Sequence, residues 1–169
     1  MLNIYAPNEE EQQIKFWKRI TQHINKTINN SKLKSNKILI GGDFNAYLRE
    51  IDTLNRPNKK KIKYFTEFIK LNKLKDAYIL KNKDKTEFTW HRLDKNSKIK
   101  SASRIDTILM SKILCEGGYN IKIKDPGLIT DHSKVDITIN IKIKLKNKKV
   151  NTRKTIYEKI FERQKRRLQ

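Results

Sequence analysis

The chain has 169 residues, a length at which one domain with a real hydrophobic core is the default. Forty lysines and arginines against 18 aspartates and glutamates give a formal charge of +22, a field that attracts polyanions and makes any nucleic-acid binding steeply salt-dependent. The single cysteine, Cys115, excludes an intrachain disulfide. The absence of a cationic-then-apolar leader, or of any apolar window near the ~18 residues of a membrane span, argues for a reducing intracellular location, nuclear or cytoplasmic, and against secretion.

Leu2, Ile4 and Ala6 alternate with Asn3 and Tyr5, which predicts a strand that Pro7 stops, because proline cannot donate to a ladder. Asn8, with Glu11 three positions on, has the form of a helix N-cap, and Ile14, Trp17, Ile20, Ile24 and Ile28 follow at helical spacing. Ile38, Leu39 and Ile40 form a short apolar run, the pattern of a strand covered on both faces, with Gly41 and Gly42 expected to end it. A second helix is predicted over residues 58–74, turning Ile62, Phe65, Phe68 and Ile69 inward, and Lys59, Lys60 and Lys61 read as a solvated stretch, with contact to a nucleic-acid backbone as the minority reading.

Beyond Asp76 the apolar period changes from helical to two. Residues 88–90 and 103–111 read as strands joined by the polar stretch 94–100, Ile121 and Ile123 mark a short strand, and residues 134–145 alternate over a longer one. The pattern predicts an α/β fold with a mixed sheet and helices on one face. Residues 146–169 carry ten Lys or Arg against Glu158 and Glu162, with too few apolar residues for a core of their own. They read as a basic tail: a solvated linker, or a helix that contacts nucleic acid or a partner.

Three strings place carboxylates where strands meet loops: Gly41-Gly42-Asp43-Phe44-Asn45, Ser103-Arg104-Ile105-Asp106 and Thr130-Asp131-His132. Three acids and an imidazole at one sheet edge suit metal-assisted phosphodiester hydrolysis. That reaction needs an activated water, stabilised charge on the non-bridging oxygens and a proton or cation for the departing oxygen. Mg2+, or Mn2+ in its place, takes carboxylate and water ligands, so aspartates are expected and thiols are not. Asp106, inside an apolar run, would be costly to bury without a partner.

With Asn3-Ile4-Tyr5-Ala6-Pro7-Asn8 before these strings and Phe88-Thr89-Trp90 between them, the series resembles the second half of the endonuclease/exonuclease/phosphatase superfamily. It is most similar to the endonuclease domain of LINE-type (non-LTR) retrotransposons. The resemblance covers roughly residues 2–145. It implies the C-terminal portion of a four-layer α/β sandwich, a mixed sheet covered by helices, as one domain over 1–145 followed by the tail 146–169. It also implies a Mg2+-dependent DNA endonuclease that nicks target DNA to prime reverse transcription, with a reverse transcriptase domain in the intact protein. By this resemblance His132 contacts the scissile phosphate or the attacking water, and Asp106 orients it and favours the imidazolium. Asp131 is the metal-linked aspartate, Asp43 the general acid or base beside the metal, and Asn45 the amide that positions water and phosphate. Tyr5 would hydrogen-bond the phosphate or leaving group, and Asn8 and Trp90 would contact DNA, although capping for Asn8 and core packing for Trp90 serve equally well.

The family's Asn-bearing first strand and Glu-bearing second strand are not found before Leu2. The chain is therefore expected to be N-terminally truncated, with a metal-binding Glu outside it. Two rival readings stand beside the first: an abasic-site repair endonuclease, and a catalytically inactive, basic nucleic-acid-binding remnant of a retroelement. One cysteine disfavours the disulfide-bonded secreted deoxyribonucleases, and the charge disfavours lipid or inositol phosphatases. Lysine, isoleucine and asparagine number 31, 24 and 16, and all three have A/T-rich codons, so codon bias is an alternative source of the charge.

Overall fold

The computed structural model describes residues 1–30, 37–124 and 130–140. At its centre lies a four-stranded sheet in the order β1 (Leu2–Tyr5), β2 (Leu39–Asp43), β6 (Asp106–Ser111), β3 (Leu74–Asp76). β1 and β2 are parallel, joined through helix α1 (Glu10–Asn30), and β6 is antiparallel to both its neighbours, so the sheet is mixed as expected.

Successive residues of a strand face opposite sides, and the sheet uses both. Ile4, Ile40 and Leu109 point into a core with Trp17 and Ile24 of α1 and Phe65, Phe68 and Ile69 of helix α2 (Lys59–Leu71). Trp17, Phe44, Phe65 and Phe68 stack or tilt against one another at centroid distances of 4.8–6.3 Å. Ile108 and Met110, one residue out of phase, enter a second core on the other face. There they meet the short helices α3 (Ala77–Lys81) and α4 (Lys112–Glu116) and the hairpin of β7 (Tyr119–Lys124) and β8 (Lys134–Ile139). The two long helices therefore share one face, and the opposite face is covered by short helices and a β-hairpin.

Several sequence boundaries shift for identifiable reasons. Gly41 and Gly42 do not end their strand; they lie inside β2. Gly42 has φ 138°, and a Cβ there would stand 2.0 Å from the Ile4 carbonyl oxygen, so only glycine lets β1 approach this closely. The helix predicted to reach residue 74 stops at Leu71. Asn72 donates its backbone N–H to Phe68, Lys73 turns left-handed (φ 53°), and Leu74 starts β3 as a buried residue. Asn8 is not the cap of α1, which begins at Glu10; its side-chain and backbone oxygens accept from Lys61 Nζ instead. Asn58 does cap α2, accepting from the Lys61 backbone N–H.

The strand predicted over 88–90 starts at Trp90, as β4 (Trp90–Leu93), and pairs with β5 (Ile99–Ser103) in a hairpin. The strand predicted over 103–111 is β6 from Asp106 on; Ser103 instead ends β5, which starts at Ile99 inside the stretch read as a joining loop, and the two strands belong to different sheets. Arg104 makes the break. Its backbone N–H donates to Asp52 O, and its guanidinium is fully buried between Asp52 and Asp76. The strand expected over 134–145 is β8 as far as Ile139. Residues 141–145 and the basic tail 146–169 lie outside the described residues.

Asp52 accepts from Arg49, Arg104 and Thr86. Burial alone would raise its pKa, but these donors and the Arg104 charge outweigh it and hold the carboxyl at about 2, below its ordinary 3.8. A folded value below the unfolded one stabilises the fold above the unfolded pKa, and that contribution fades as pH falls toward the folded value. Urea unfolding is expected to lose about 2 kcal/mol from this group between roughly pH 5 and pH 2. Asp52→Asn should be less stable at neutral pH and should lack that part of the acid slope.

Candidate active site

β-Sheet register assembles the first part of the site. Tyr5 pairs with Asp43 across β1 and β2, and Asp43 with Asp106 across β2 and β6, so the three residues form one row over three strands. The row lies at the end of the sheet, on the face of the β7–β8 hairpin. His132, just before β8, bridges Trp90 of β4, and its Nδ1 lies 2.9 Å from Asp106 Oδ2. One ligand atom from each of Asp43, Asp106 and His132 falls within 4.8 Å of the others.

The polar framework beneath this row is dense. Asn45, left-handed at φ 45°, donates its backbone N–H to Asp43 Oδ1 at 2.8 Å and its carboxamide N–H to Ala6 O at 2.8 Å. Gln13 of α1, buried, donates to both Pro7 O and Asn45 O and so ties the ends of β1 and β2 together. Thr89, fully buried, accepts from the backbone N–H groups of both Ile105 and Asp106 through Oγ1 and thereby fixes the start of β6. Ser133 N–H donates to Thr89 O and His91 N–H to Asp131 O, which lock the His132 segment against β4.

Charge in the row is mutually tuned. Burial would lower the His132 pKa, but the Asp106 hydrogen bond and charge, with Asp43 and Asp131, raise it above the ordinary 6.5 and favour the imidazolium. Burial, joined by the Asp106 charge, pushes Asp43 up from 3.8 against the opposing pull of the Asn45 N–H and His132. A raised carboxyl beside an imidazole whose protonated form is favoured is the kind of environment in which functional acids and bases are found.

A cleft of about 450 Å3 opens on this row and is lined by Tyr5, Asn8, Asp43, Asn45, Trp90 and His132, all six singled out by the sequence. Asp106 stands behind His132. Asp131 is exposed, and its carboxylate accepts the Trp90 indole N–H at 2.9 Å; it is not one of the three clustered groups. Tyr5 is 78% exposed.

The opposite wall is where sequence reading fell short. Lys61, read as solvated, is half-buried at the start of α2, with its pKa lowered by burial despite the nearby Glu10; it lines the cleft together with Arg56, Asn55, Asn58 and Tyr47. The signal available was weak: in a run of three lysines only the third falls, by helical phase, on the side of Phe65 and Phe68.

No protein-family model and no curated protein matches the sequence. Solved structures do resemble it. The 3′-5′ exonuclease NExo from Neisseria meningitidis superposes with a TM-score of 0.69 at 16% identity, covering 83% of this chain and 61% of its own. The catalytic domain of Xenopus laevis APE2 gives 0.64 at 17% identity, over 81% of this chain and 48% of its own. The endonuclease domain of TRAS1, a telomere-specific non-LTR retrotransposon, gives 0.55 at 13% identity, over 85% and 58%. The chain has the fold of these endonuclease/exonuclease/phosphatase nucleases and spans about half to three fifths of the length of each.

Proposed function

We propose that the cleft hydrolyses phosphodiester bonds in DNA with the help of a divalent cation, Mg2+ or Mn2+. The observation that carries this reading is the single row of Tyr5, Asp43 and Asp106 with His132 hydrogen-bonded to its end. The donor set fits a hard cation. Asp43 lines a water-accessible cleft with an Asp106 oxygen and a His132 ring nitrogen within 4.8 Å, and Asp131 stands exposed on the adjoining segment, its carboxylate accepting from Trp90. Asp43 and Asp131 would hold the ion, which when bound would neutralise charge developing on the phosphate.

The chain's own residues have separable tasks. The His132 imidazolium, held by Asp106, donates a proton or hydrogen bond to a non-bridging phosphate oxygen. Asp43, beside the ion, orients the attacking water or the departing oxygen. Asn45 fixes Asp43 through its backbone N–H, and Tyr5 offers a phenolic donor from the exposed rim. Lys61 and Arg56 supply cations for neighbouring phosphates of the same strand, and Asn8 and Trp90 border that path.

The finer assignment proposed is a retrotransposon-type endonuclease that acts beside a reverse transcriptase in the intact protein, in the nucleus or cytoplasm. The sequence blocks and the likeness to the TRAS1 endonuclease domain support it. Among the described residues no helix is long and apolar enough to cross a membrane. Abasic-site cleavage is the second reading, favoured by the higher TM-scores of the exonuclease and AP-endonuclease structures.

Nicking of supercoiled plasmid under excess protein, so that slow hydrolysis is read, tests the proposal. Mg2+-dependent nicking is expected, and His132→Ala and Asp43→Asn should each slow it by about 10²-fold or more. Equal nicking by His132→Ala, or none by any form, would favour the inactive remnant. Cleavage of an abasic-site duplex at least about tenfold faster than of the intact duplex would select the repair reading.

A further inference from the structure

Away from the cleft, α1 and α2 leave a groove of about 860 Å3 between them. Ile14, Trp17 and Thr21 line it from α1 at i, i+3 and i+7, and Tyr64, Phe68 and Leu71 from α2 at i, i+4 and i+7. Each stripe runs two helical turns, about 10 Å. Leu71 is 70% exposed although it ends the apolar face of its helix. Trp17 is buried, yet its indole N–H has no hydrogen-bond partner among the described residues, an uncommon state for a buried donor. The apolar floor and the exposed Leu71 describe a surface that no described residue covers.

The rim indicates the kind of cover. Lys18 and Lys70 line the groove with Glu67 as its one acid, and Lys15 and Lys63 stand exposed on the same helices. A second copy of a +22 chain would bring the same cations against this rim. Nucleic acid would meet an apolar floor where its phosphates need donors. Two parallel apolar stripes at helical spacing accept a third helix laid along them. We propose that the α1–α2 groove docks an amphipathic helix of a partner protein, with an apolar face against Ile14, Tyr64 and Leu71 and acidic flanks against the lysines.

The test uses the full chain and a fluorescein-labelled synthetic helix of about 18 residues, with leucines at i, i+4, i+7 and i+11 and glutamates on the flanks. Fluorescence anisotropy at roughly 0.15 M salt compares it with a scramble of the same composition and with a lysine-flanked version. The striped acidic peptide is expected to bind at least about tenfold tighter than either control. Leu71→Glu and Lys18→Glu should each weaken it by about tenfold or more while duplex-DNA binding by Leu71→Glu stays unchanged. In nitrogen–proton spectra the Trp17 indole signal should move on peptide addition and that of Trp90 should not. Equal binding of the scramble would reduce the effect to bulk charge and overturn the proposal. So would wild-type affinity in Leu71→Glu, or movement of the Trp90 signal alone, which would place the peptide in the cleft.

Discussion

Replacing Arg104 by Met is expected to destabilise the fold by about 3–5 kcal/mol, because it leaves buried Asp76 without a cation and Asp52 with Arg49 alone. Arg104 Nε and Nη2 donate to the two oxygens of Asp52, and Nη1 donates to Asp76 and Thr107. Asp76 in turn caps α3 through the N–H groups of Tyr78 and Ile79. One guanidinium therefore joins the 49–52 turn, the β3–α3 junction and the start of β6, two residues before Asp106. Lysine cannot reproduce the fork, so Arg104→Lys should recover little of the loss. Native domains are stable by about 5–15 kcal/mol, so the urea midpoint should collapse at neutral pH. A shift worth less than about 1 kcal/mol would mean that the triad is dispensable.

The second large effect is electrostatic. A chain of +22 that meets six to ten phosphates should lose roughly 10³–10⁵ in duplex-DNA affinity between 50 and 200 mM salt, as released counterions drive the association. Sequence preference should be slight. Anisotropy of a labelled duplex across a salt series reads the slope directly. Lys61→Ala should lower that slope by about 0.9 if its cleft-lining ammonium meets a phosphate. A flat salt response, or no binding at low salt, would leave the lysine excess to codon bias.

The clustering of the candidate residues was more legible than the strands that bring them together. Asp43, Asp106 and His132 could be matched by order along the chain because each follows or precedes an apolar run, and a strand end converts order into place. The boundaries failed where long-range contacts decided them. Gly42 reads as a terminator until the Ile4 carbonyl is seen 2.0 Å from its missing Cβ. Arg104 reads as part of one strand until Asp52 and Asp76, distant in sequence, draw it inward and split β5 from β6. Thr89 stands between Phe88 and Trp90 in a stretch read only as a strand. Its role, holding the N–H of Asp106, rests on a contact 17 residues away in sequence that no local pattern announces. Lys61 was lost among its neighbours because composition cannot say which lysine of three faces the cleft.

The claim that a cation held at Asp43 shares one site with His132 is tested most directly by Mn2+ titration of the three histidines in carbon–proton spectra. His132 and Asp43 offer ligand atoms within 4.8 Å of each other, whereas His23 lies exposed on α1. The His132 signal should broaden at substoichiometric Mn2+, before that of His23, and Asp43→Asn should abolish the difference. Uniform broadening of all three, or a His132 signal unmoved at a large excess of Mn2+, would contradict the account.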